Sequence, residues 1–162
     1  MINEYAAKII KFEEENNQFK SRPYRCSEGY PTIGWGFRIA GTSKGDPLPE
    51  NLVMSVEIGN NELNVKINEY IEYLSRHPLT KPAWDQMNDD RRAVMLSMVH
   101  QVGEAGILAF KGFLRAAEAG DFGLAAYEMY DSKAYRQSTN RWTRQAIAMA
   151  SGEVSSIPVW GC

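Results

Sequence analysis

Between Tyr24 and Gly36 the chain reads Tyr-Arg-Cys-Ser-Glu-Gly-Tyr-Pro-Thr-Ile-Gly-Trp-Gly, and no other stretch restricts the fold as much. Ser27-Glu28-Gly29 is a turn signal, because glycine takes positive φ without steric cost. Thr32 to Gly36 then returns as a short strand whose glycines permit close backbone approach, so a substrate can lie against it.

Helix signals flank this hairpin. Residues from about Asn3 to Glu15 form an amphipathic helix, with Ala6, Ile9, Ile10 and Phe12 on one face and Glu4, Lys8 and Lys11 elsewhere. Glu13, Glu14 and Glu15 crowd its last turn, where each carboxylate opposes the helix dipole at a cost of a few tenths to about 1 kcal/mol. Such a local conflict marks either a functional site or a solvated acidic run. Asn16 to about Ile39 reads as a small sheet, with Pro23 at a strand start or edge. Gly41 to Pro49 is turn-rich and reads as a loop. Val56, Leu63, Ile67, Tyr70, Ile71 and Leu74 keep helical spacing from Ser55 to Arg76, until Pro78 stops the run.

From Lys81 to about Gly152 the signals are helical. Asp89 or Asp90 can cap a helix running through Val94, Leu96, Met98 and Val99 towards Gly103, and Gly106, Gly112, Gly120 and Gly152 punctuate the rest. The expected class is α+β, mostly α. A small N-terminal sheet lobe (about 13–55) is joined by a long helix (about 56–78) to a helical lobe (about 79–162), which also packs the N-terminal helix.

The 162 residues suit one compact unit. A net charge of −2 gives no sign of a polyanion partner, so nucleic-acid binding is not expected. Cys26 and Cys162 do not make a disulfide framework, which fits synthesis in a reducing compartment. Charges interrupt Met1 to Lys11, so no signal peptide is expected there, and no run approaches the roughly 20 apolar residues of a membrane span. CxxC, HExxH, P-loop and Rossmann signatures are absent from the sequence, so no metal and no cofactor are expected.

Two separated blocks resemble the T-even bacteriophage lysozymes, which are phage-type muramidases. One is the hairpin, with Gly29-Tyr30-Pro31-Thr32-Ile33-Gly34-Trp35-Gly36. The other runs through Lys81 to Asp85, Arg91 to Gly106 and Ala134 to Arg141 in the family's order and nearly its spacing. Residues 40–80 match in pattern only, and the final ten hardly at all. The resemblance implies a lysozyme-like fold and hydrolysis of the β-1,4 bond between N-acetylmuramic acid and N-acetylglucosamine, in a cleft between the lobes. It also implies a monomer that acts on peptidoglycan strands without inserting into a membrane, made in the host cytoplasm and released to the wall by a holin.

The family's trio is a Glu ending the first helix, an Asp at the hairpin and a Thr on the returning strand. Thr32 takes the last place, and Cys26, six residues before it, stands where the family has Asp. Counting back from Tyr24 without a gap lands on Asn17, whereas a short insertion before Pro23 restores an acid. Helix phase then favours Glu14, matching Phe19 to an apolar family position favours Glu15, and Glu13 comes third. The resemblance further implies that Arg141 pairs with the acid and that Glu28 and Lys133 form an ion pair across the cleft mouth. Gln101, Gln137 and Ser138 are sugar contacts by position. His100 replaces an aromatic residue and is read as structural, while Phe37 replaces a histidine.

Glycosidic cleavage needs a protonated acid on the leaving oxygen and an opposing group that activates water or stabilises the oxocarbenium-like centre. Desolvation and acidic neighbours can keep a helix-end glutamate protonated, whereas Arg141 pulls the other way. Cys26 supplies no carboxylate and acts in that place only as a thiolate, with Thr32 orienting water or the thiol. Two rival readings stand beside hydrolysis: a lysozyme-fold protein that binds glycan or a protein partner without cleaving, and a lytic transglycosylase.

Overall fold

The computed structural model describes residues 1–162. Helix α1 (Ile2–Glu15) buries Ala6, Ile9 and Ile10 completely, and it lies against two later helices, at Val56–Arg76 and Asp89–Leu108. It stops because Asn16 and Asn17 turn into the left-handed region, at φ 49° and 61°. Asparagine tolerates that conformation better than other residues with a Cβ. The Asn16 and Asn17 amides donate back to the Phe12 and Lys11 carbonyls at 2.8 and 3.0 Å, satisfying the carbonyls at the helix end. Asn17 is therefore an exposed cap residue beyond the helix, and the gap-free register that aligned it with the acid fails. The same two residues delay the sheet, which starts at Lys20 and not at Asn16.

Three antiparallel strands follow in the order β1 (Lys20–Arg25), β2 (Pro31–Gly34) and β3 (Phe37–Arg38). Pro23, which has no amide hydrogen, falls in the irregular part of edge strand β1, between Lys20 and Tyr24. Thr32 is fixed on both sides, opposite Tyr24 on β1 and Arg38 on β3. The strand does not run on to Gly36: Gly34 and Gly36, at φ 70° and 81°, turn the chain into β3.

Ser55 caps α2 (Val56–Arg76) by accepting from the Ile58 amide, and the extended His77 before Pro78 ends it. After α3 (Lys81–Gln86) comes α4 (Asp89–Leu108), capped by Asn88 and not by Asp89 or Asp90, which lie in its first turn. Residues Ala93 to Val99 of α4 are wholly buried, making it the central helix of the core. Gly103, at φ 79° and ψ 169°, breaks α4 without ending it. Gly106 and Gly112 do not punctuate either, being helical residues of α4 and α5 (Lys111–Glu118).

The remaining helices, α6 (Phe122–Tyr130), α7 (Lys133–Gln137) and α8 (Thr139–Ser151), close the helical layer, with α6 against α5 and α8. Trp142 of α8 stacks on Phe110 inside it. The core is continuous, and Trp35 and Phe37 carry it from the helices into the sheet. No single helix is long and apolar enough to cross a membrane.

Candidate active site

A cleft of about 1200 Å³ lies where the end of α1, the hairpin, α4 and the α7–α8 junction meet. Three consecutive glutamates reach this region, and a helical step of about 100° per residue sends them to three destinations. Glu13 turns towards the C-terminal segment. Its carboxylate takes a two-pronged bond from Arg144 at 2.7 and 2.8 Å and another from the Trp160 indole at 2.7 Å, which leaves its side chain 1% exposed. Glu15 turns beneath β1, where it is buried and hydrogen-bonded to the Tyr24 hydroxyl. Burial pushes the Glu15 carboxyl up to about 7, aided by the charge of Glu14 and opposed by Lys20.

Glu14 lines the cleft and keeps 19% side-chain exposure. Arg141 pairs with its Oε1 and also donates to the Ser97 carbonyl and hydroxyl oxygens at 3.0 and 3.2 Å, so the guanidinium is locked from both sides. Burial alone raises the Glu14 carboxyl. The charge of Arg141, that of His100 whenever its ring is protonated, and the Arg141 hydrogen bond outweigh it and hold Glu14 below the usual carboxylate range. Each acid that opposes the dipole of α1 thus has its own offset: Arg144 for Glu13, Arg141 for Glu14 and a raised proton affinity for Glu15.

The hairpin adds Cys26 and Thr32 to the same cleft. The Cys26 carbonyl accepts from Gly29 at 2.9 Å and its amide donates to Tyr30 at 3.1 Å, leaving a free, half-buried thiol. Thr32 is buried and its hydroxyl donates to the Tyr30 carbonyl at 2.8 Å, so its oxygen keeps its lone pairs as an acceptor. From the helical side, Gln101 donates to the Ser138 hydroxyl at 3.2 Å while its own Oε1 is buried without a partner. Gln137 lines both the cleft and an adjoining hollow of about 600 Å³.

The ion pair expected between Glu28 and Lys133 does not form. Glu28 instead lies 3.6 Å from Arg38, which comes from β3 of the same lobe and stacks over Tyr30 at 3.6 Å. Arg38 already sits beside the turn, whereas Lys133 belongs to the other wall, so no Glu28–Lys133 ion pair closes the mouth of the cleft. Gly36 does not serve the close substrate approach expected of the hairpin glycines. A Cβ there would stand 2.8 Å from Glu14 Oε2, so the close approach is made by the acid and not by a ligand.

Residues 14–144 match the phage lysozyme family model. The chain belongs to the phage lysozyme family. This phage lysozyme relative is 28% identical over 151 residues to the pre-baseplate central spike protein Gp5 of Enterobacteria phage T4, a match covering 84% of the chain but 26% of the spike protein. It is 24% identical over 168 residues to the probable T4-type lysozyme 1 of Dictyostelium discoideum, covering 91% of the chain and 95% of that protein. The chain therefore spans about a quarter of the spike protein and nearly all of the Dictyostelium one.

Sequence reasoning passed over three residues that line the cleft. Tyr70 reads as one more apolar position of α2, yet its hydroxyl meets His100. Lys44 and Lys66 line the cleft without belonging to any motif. No cluster of three or more His, Cys, Asp or Glu side chains is placed to hold a metal ion.

Proposed function

We propose that the chain is a muramidase that cleaves the β-1,4 bond between N-acetylmuramic acid and N-acetylglucosamine of bacterial peptidoglycan. One observation carries this reading: of the three helix-end acids, Glu14 alone combines an exposed edge in the cleft with a fixed cationic partner. Glu14 gives its proton to the leaving glycosidic oxygen. Arg141 holds the carboxyl in place, and because it also favours ionisation, the carboxyl must gain its proton when bound glycan displaces water from the cleft.

Cys26 and Thr32 serve the opposite requirement. The Cys26 sulfur stabilises positive charge at the anomeric carbon, and the Thr32 oxygen orients the attacking water. Gln101, Gln137 and Ser138 bind sugar hydroxyls and amides along the helical wall. The protein works as a monomer, reaches the wall after holin release from the host cytoplasm, and has host lysis as its role.

The test is digestion of purified peptidoglycan sacculi with mass analysis of the soluble products. Muropeptides with N-acetylmuramic acid at the reducing end support the hydrolase. Anhydro ends point to a transglycosylase, and intact sacculi with bound protein point to a binding protein.

A further inference from the structure

His100 has no part in the chemistry described so far, yet it occupies the junction of the two lobes. It projects from α4 with Nε2 3.0 Å from the Trp35 carbonyl oxygen and Nδ1 3.3 Å from the Tyr70 hydroxyl. A carbonyl only accepts, so the ring proton belongs on Nε2, and Nδ1 accepts from Tyr70. Phe37 and Tyr70 pack edge-on against the ring, with centroids at 6.1 and 6.0 Å.

The bond to Trp35 matters because of what comes next in the chain. The carbonyl that His100 holds belongs to the peptide unit joining Trp35 to Gly36, and Gly36 is the residue packed on the Glu14 carboxylate. The Trp35 side chain is fixed from elsewhere: its indole donates to Asn60 of α2 at 3.0 Å, Phe19 packs on it at 5.1 Å, and the Lys11 ammonium lies 5.1 Å over the ring. His100 is the contact that fixes the peptide itself.

Four charged or titratable groups face the imidazole: Glu14 from α1, Lys66 and Tyr70 from α2, and Arg141 from α8. Burial lowers its proton affinity, with Arg141 and Lys66 acting in the same direction. Glu14 and the bond to Trp35 oppose, and the net direction is down. Burial also raises the Tyr70 hydroxyl, which stays a donor to Nδ1.

We propose that His100 is a positioning residue, clamping the Trp35–Gly36 peptide against the Glu14 carboxyl. This rests on Glu14 being the acid. Losing the clamp lets the Gly36 wall move, and displacements near 1 Å at a reacting group cost about 100-fold in rate.

Two variants test the clamp. His100→Phe fills the space with no donor; His100→Gln keeps an N–H for the Trp35 carbonyl. Each is compared with wild type by near-ultraviolet circular dichroism for folding, by kcat and KM on soluble glycan strands, and by nitrogen-15 relaxation of the Gly36 amide. The expected result is a kcat about 10- to 100-fold lower for His100→Phe with KM little changed, and recovery of most of that loss in His100→Gln. The Gly36 amide gains mobility in His100→Phe and stays ordered in His100→Gln.

Wild-type kcat in His100→Phe, or equal impairment in the two variants, would overturn the clamp. A Gly36 amide as ordered in His100→Phe as in wild type would overturn it too. A folded wild-type chain that cleaves no glycan would refute the catalytic reading of Glu14, and the Gly36 relaxation would still decide the clamp.

Discussion

Replacing Glu15 with Gln should stabilise the protein above neutrality and leave it unchanged in acid. Glu15 is 8% exposed, accepts from the Tyr24 hydroxyl, and has its carboxyl pushed from 4.5 to about 7 by burial. Between those two pH values the folded state holds a proton that the unfolded state has released, so stability falls as pH rises from about 4.5 and levels off above about 7. At 1.36 kcal/mol per tenfold change in proton binding, the interval corresponds to at most about 3 kcal/mol. Gln presents a neutral group of the same shape to Tyr24 and does not titrate. Urea unfolding of both chains at closely spaced pH values, read as the difference between them, cancels every other titrating group. The expected difference is near zero at about pH 4 and grows to between 1 and about 3 kcal/mol in favour of Glu15→Gln at about pH 8. Parallel curves across that range, or a wild type that gains on the variant with rising pH, would refute the buried-proton argument.

Other substitutions probe the rest of the cleft. Gly36→Ala puts a Cβ 2.8 Å from Glu14 Oε2 at a backbone φ of +81°, so activity on peptidoglycan should fall by about 100-fold through displacement of the carboxyl, a loss visible in kcat. Arg144→Ala leaves the buried Glu13 carboxylate with only the Trp160 indole; because Arg144 keeps 28% side-chain exposure, a cost near the low end, about 3 kcal/mol, is expected in denaturant unfolding. Cys26→Ala should lower kcat on the order of 100-fold, whereas Cys26→Asp should retain it, because a negative charge at that point is what the reaction uses.

Much of this arrangement was legible in the sequence, and the parts that were not share a physical cause. The hairpin and the phase of α1 are local properties: apolar spacing fixes which way Ile9, Ile10 and Phe12 face, and with them Glu14. The end of α1 was harder, because a left-handed turn at Asn16 and Asn17 adds residues that a gap-free comparison counts as helix. The partners of the acids lie far along the chain: Arg141 is 127 residues from Glu14, and Trp160 is 147 from Glu13. Periodicity carries no information at that range, and only the resemblance pointed to Arg141. Glu28 chose Arg38 over Lys133 because β3 brings Arg38 beside the turn, a consequence of strand pairing and not of charge pattern. His100 bonds to a backbone carbonyl, and such an acceptor has no side chain to leave a signal in the sequence.

The central claim is that Glu14, and neither of its neighbours, is the acid. The most direct test measures release of soluble muropeptides by wild type, Glu14→Gln, Glu15→Gln and Glu13→Gln, each checked for folding. The account predicts a loss of about 100- to 10,000-fold for Glu14→Gln, while Glu15→Gln and Glu13→Gln stay within about tenfold of wild type. Full activity in Glu14→Gln, or a collapse confined to Glu15→Gln, would contradict it.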